Sequence, residues 1–113
     1  PPPTRVGAHH PVVLGLTARA AGLDPLDAAH AAAYESISAP ATAAVRLLSL
    51  DPFHAASVLA RLAPETDTVA VEAAAAAATA LTEGVGALPA ASAPLIDLAA
   101  EHHATWPVRL FAS

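Results

Sequence analysis

The stretch that decides the fold runs from Asp24 to Ile37: Asp24-Pro25-Leu26-Asp27-Ala28-Ala29-His30-Ala31-Ala32-Ala33-Tyr34-Glu35-Ser36-Ile37. Asp24 can cap a helix, Pro25 suits its first position, and Asp27 can reach back as the acid of a capping box. Leu26, Ala29, Ala33 and Ile37 then recur at helical spacing, with His30 and Tyr34 beside them. The same Asp-Pro opening returns at Asp51-Pro52, followed by Phe53, Ala56, Leu59 and Leu62 on one stripe. Since the text between the two openings does not match, they share capping chemistry and are not a repeat.

Working outward, Pro11 opens a first helix through Val12, Val13, Leu14, Leu16 and Ala20, and Gly22 stops it. Pro40 is expected to kink or restart the second helix, whose Ala44, Val45, Leu47, Leu48 and Leu50 read as a buried run. Pro64 is expected to stop the third, and Thr66 or Asp67 to open a separate Ala-rich helix ending near Leu81, before Gly84 and Gly86. A last helix begins near Ser92 or Pro94, carries Leu95, Leu98, Ala99 and His102, and breaks before Pro107. No β-branched alternating stretch calls for a strand. The expectation is an all-α, Ala-rich bundle of about five or six helices. Residues 1–10 and 107–113 form extended tails around a helical domain spanning 11–106.

Composition limits the chemistry. The chain has 113 residues, 33 of them Ala, with two Phe, one Tyr and one Trp, so its core rests on Leu and Val between closely approaching Ala-lined helices. With no Cys, disulfides and thiolate sites are excluded. Lys is absent, five Arg are scattered and the net charge is −5, which leaves no basic stripe for nucleic acid. No apolar run reaches the roughly 18 residues of a membrane span, and Pro1-Pro2-Pro3 does not open a signal peptide. The expectation is a cytoplasmic protein.

Six histidines raise a metal hypothesis. His9-His10 lies in the expected N-terminal tail and His102-His103 near the last helix, where adjacent side chains diverge, so neither pair alone is a preorganised chelate and they stand as weak metal candidates. His30 and His54, alone near apolar faces, fit hydrogen-bonded packing roles. Ser38 and Ser57 lack a nucleophile elbow, and no Gly-rich loop precedes a basic residue. The acidic residues Glu65, Asp67, Glu72 and Glu83 read as solvated faces, and Asp97 as a first-turn complement to the helix dipole. The ending differs. Past Pro107, Arg109-Leu110-Phe111 places a charged anchor beside two apolar side chains, a segment that either folds back against its own domain or inserts into a partner.

At this tail the sequence resembles the UreF family of urease accessory proteins. Pro94-Leu95-Ile96-Asp97-Leu98-Ala99 is similar to the family's Pro-Leu-Leu-Asp-Ile-Ala run, and His103, Thr105, Arg109, Leu110, Phe111 and Ser113 fall on its closing pattern. Pro11-Val12-Val13-Leu14-Gly15 and Ala43-Ala44-Val45-Arg46-Leu47 resemble two earlier segments in the same order. Asp51-Pro52, Ala104, Pro107 and Ala112 depart from the pattern, and the resemblance covers the family's C-terminal half. It implies an all-helical scaffold without enzymatic activity that bridges a UreD-like (also called UreH-like) protein and the UreG GTPase during nickel insertion into apo-urease. It also implies a homodimer. The chain would need no cofactor of its own, nickel being handled by the complex. Partner docking falls to Arg109, Leu110, Phe111 and Ser113, supported by His103 and Asp97. The competing reading is a small structural or weakly nickel-binding helical protein.

Overall fold

Two reciprocal hydrogen bonds set the principal hairpin of the chain. The Asp27 N–H donates to Asp24 Oδ1 at 2.9 Å, and the Asp24 N–H donates to Asp27 Oδ2 at 3.1 Å, completing the expected capping box. The computed structural model describes residues 7–107. From this cap α2 runs over Pro25–Leu48; ahead of it α1 covers His10–Ala20. After the turn at Ser49–Asp51, α3 spans Pro52–Glu83, and α4 covers Pro94–Ala104 beyond a short 3-10 turn at Val85–Ala87. The described residues hold no strand.

The end of α1 is fixed by glycine. The Leu23 N–H donates to the Ala18 carbonyl and the Gly22 N–H to the Arg19 carbonyl, both at 3.0 Å, with Gly22 at φ +77°. This is a Schellman closure, in which a left-handed residue lets the last amides turn back onto the helix. Ser49 makes the corresponding left-handed step after α2 at φ +53°, although it carries a side chain.

The helix count differs from the expectation. Among the described residues there are four α-helices and one 3-10 turn rather than about five or six helices, because neither internal proline divides its helix. Pro40 lies within α2 and Pro64 within the 32-residue α3. Each removes one amide donor, but the flanks are Ala-rich and helix-favouring. Threonine hydroxyls also occupy carbonyls around the second: Thr66 Oγ1 donates to the Leu62 carbonyl at 2.8 Å and Thr68 Oγ1 to that of Pro64 at 3.0 Å. Thr66 and Asp67 therefore lie inside α3 and open no helix.

Helices α2 and α3 pack antiparallel along their length, α1 packs on α2, and the 3-10 turn folds back on α3. The core between them is thin. Only Ala18 and Ala70 are buried, the latter completely, among the described residues. Leu47, Leu48 and Leu50, expected inside, are exposed, as are Leu95 and Leu98 of α4. Periodicity gave these helices an apolar face, and nothing among the described residues covers it. The radius of gyration is 16.9 Å, against roughly 13 Å for a compact domain of this length. The accessible surface is 9225 Å², against about 5,700 Å² for a compact monomer of this mass. No described helix is long and apolar enough to cross a membrane.

Candidate docking surface

An open apolar groove follows the seam of the α2/α3 hairpin. Ile37 from α2 and Ala56, Leu59, Ala60 and Ala63 from α3 line it, enclosing about 450 Å³. Alanines on α3 keep the groove shallow-walled and let a third helix approach closely. Its polar end is built by His30 and Asp67. His30 Nδ1 donates to the Leu26 carbonyl at 3.1 Å, which orients the ring, and Nε2 then lies 3.4 Å from Asp67 Oδ1. Both side chains are substantially exposed, so this contact aligns the two helices more than it stabilises them. His30 thus takes the hydrogen-bonded role expected of it.

The hairpin tip forms a second apolar region. Leu47, Leu48 and Leu50 end α2 and its turn, and Phe53 opens α3 with 85% of its surface exposed. Asp51 holds Phe53 there by accepting its N–H at 2.9 Å. A large aromatic side chain standing in solvent beside leucines is the composition of an interface anchor.

Helix α4 is the third. Leu95, Ile96 and Leu98 are all strongly exposed, and α4 approaches none of the other helices. Asp97 lies in its first turn and His103 in its last. Six residues apart, they point to different sides of the helix and form no joint site. The end of α4 carries an aromatic cluster: the Trp106 indole N–H donates to His102 Nδ1 at 3.2 Å, and its ring meets His102 and His103 edge-on, at centroid separations of 5.9 and 5.1 Å. Sequence reasoning passed over Trp106. The signal was its position three and four residues after a His pair, the spacing at which side chains meet on a helix.

The histidine pairs do not come together. His10 Nε2 is 3.6 Å from Glu35 Oε2, across α1 and α2, while His9 precedes α1 and His102 and His103 belong to α4. His54 is exposed on α3. No three His, Asp or Glu side chains converge as metal ligands among the described residues. Arg109, Leu110, Phe111 and Ser113 lie outside the described residues, as do residues 1–6 of the expected N-terminal tail.

Comparison with known proteins gives these surfaces a context. The family model for UreF matches residues 2–63. The urease accessory protein UreF of Mycobacterium sp. (strain JLS) is 38% identical over 105 residues, covering 93% of this chain and 44% of the relative. The proteins of the same name from Mycolicibacterium vanbaalenii and Mycobacterium marinum are 37% and 38% identical over the same length and with the same coverage. The chain therefore spans less than half the length of the curated relatives it matches. No solved structure matches it significantly.

Proposed function

The chain belongs to the UreF family, and we propose that it works as a non-enzymatic urease accessory protein of the cytoplasm, scaffolding assembly of the urease nickel centre. In this reading it bridges a UreD/UreH-like protein and a UreG-like GTPase, and reaches apo-urease through that complex, with a homodimer as its own assembly. One observation carries the proposal: identity to proteins named urease accessory protein UreF extends over nearly the whole chain, which itself leaves many of its large apolar side chains exposed. A scaffold needs such surfaces, because burial of apolar area is what drives most protein association.

The division of labour is a helical domain over 11–106 between an extended N-terminal tail, 1–10, and a docking tail, 107–113. Arg109, Leu110, Phe111 and Ser113 make the principal contacts. His103 and Asp97 support the tail from α4. The complex handles nickel, and no cofactor is assigned to this chain.

The test is a pull-down of the chain with UreD and UreG proteins, with and without residues 109–113. Stoichiometric retention that the truncation weakens is the expected result. Absence of retention by either form would remove the scaffold reading. Undiminished retention would remove the tail's role. Tight nickel binding that depends on the His pairs, with no partner retained, would favour a small nickel-binding helical protein instead.

A further inference from the structure

Helix α4 and the α2/α3 groove are complementary in shape and chemistry, and both stand open. We propose that α4 is a strap that closes into this groove of its own chain, seating Leu95, Leu98, Ala99 and His102 along the seam. This inference does not depend on the assembly role.

The first reason is that α4 cannot account for its own helicity. It is 11 residues long, with no side-chain cap at Ala93, whereas isolated helices shorter than about 12–15 residues are marginal in water. Its helix needs a surface to bury against. The pattern says which side faces that surface: Leu95, Leu98, Ala99 and His102 follow the i, i+3, i+4, i+7 spacing of one stripe, and Asp97 and Glu101 fall on the opposite side. A docked α4 would keep both carboxylates in water.

Dimensions agree. The groove runs along α3 from Ala56 to Asp67, a rise of roughly 16 Å, and α4 has a length of about 16 Å. Residues 84–93 join the two helices; with Val85–Ala87 kept as a 3-10 turn and the other residues extended they can span up to about 29 Å, while the path back along α3 from Glu83 to Asp67 is about 24 Å. The connection therefore lets α4 enter beside Asp67 and run antiparallel to α3, ending near Ala56 and the hairpin turn. On the α3 side Ala56, Ala60 and Ala63 offer no large side chain to obstruct it, Ile37 and Leu59 supply the apolar floor, and Tyr34 forms the α2 wall against which the stripe would pack.

The occupant is the chain's own helix because of the tether. A short flexible linker holds a segment at an effective concentration on the order of millimolar, well above that of a second copy in dilute solution. Closure would cover two apolar faces at once and leave the hairpin tip, the apolar side chains of α1 and the end of α3 uncovered. A partner seeking either the groove or the α4 stripe would first have to displace the strap.

The absence of Cys makes the test clean. In the full chain, Ala60→Cys with Ala99→Cys pairs the groove with the inward stripe, and Ala60→Cys with Asp97→Cys is the outward control. Under mild oxidation the first pair should form an intramolecular disulfide at least about tenfold faster than the control, read by non-reducing electrophoresis and mass spectrometry. Equal rates would overturn the strap, and crosslinks found only between two chains would transfer α4 to a second copy. Hydrogen exchange provides an independent reading. Protection of α4 that Leu98→Asp removes, with α2 and α3 unaffected, is expected; an α4 already exchanging at the unprotected rate in the unmodified chain would also overturn it.

Discussion

Asp24 and Asp51 stand in the same Asp-Pro dipeptide yet hold their helices differently. The Asp24 side chain accepts the Asp27 N–H while its own N–H is taken by the Asp27 carboxylate; the Asp51 side chain accepts the Phe53 N–H, two residues on, with no reciprocal bond to complete a box. Removing a capping side chain costs about 1 kcal/mol, so Asp24→Ala, which breaks both bonds of the box, should destabilise more than Asp51→Ala. Urea unfolding followed by circular dichroism would check the order. The turn residues give the opposite sign. Ser49 sits at φ +53° with a Cβ, a conformation that costs a non-glycine residue about 1 kcal/mol. Ser49→Gly should therefore raise stability by up to about that amount, whereas Gly22→Ala, at φ +77°, should lower it by about 1 kcal/mol. Identical midpoints for all four variants would mean that these helix ends do not limit unfolding. At this scale the sequence was highly legible, because capping and turn chemistry depend on neighbours within a few residues.

At the scale of elements, the readings that failed are those that treated a single residue as decisive. Pro64 removes one amide donor from α3, but a helix of 32 residues rich in Ala outlasts that loss. Interior proline costs about 3 kcal/mol relative to Ala. Pro64→Ala should thus stabilise the chain by up to about that figure and deepen the helical circular dichroism signal; unchanged stability would mean that the proline's position is relieved locally. Leu47, Leu48 and Leu50 teach a different lesson. Their spacing reveals an apolar face but not what covers it, and here they remain exposed. The groove was illegible for a related reason. His30 and Asp67 are distant in sequence and meet only through the antiparallel register of α2 and α3, which no local signal specifies. Trp106, by contrast, was legible through its spacing of four and three residues from His102 and His103. The tail residues Arg109, Leu110 and Phe111 lie outside the described residues, so their role rests on the family pattern.

At the scale of the whole molecule, the thin core has a thermodynamic consequence. The slope of stability against denaturant measures the surface newly exposed on unfolding. A chain that already presents 9225 Å² when folded has less left to expose than a compact domain of the same length. Its urea m-value should fall at or below about 1 kcal/mol/M, the lower edge for small proteins, and its transition should be broad. Dye binding to exposed apolar surface should accompany the native baseline. A partner that covers these faces would bind the folded form preferentially; under the proposed scaffold role, a UreD-like protein at a hundredfold over its Kd should add about 2.7 kcal/mol and sharpen the transition as more surface enters the cooperative unit. If the chain alone unfolds sharply with the m-value of a compact domain, its helices bury one another beyond what closure of α4 into the groove adds, and the premise that its remaining apolar faces await a partner fails.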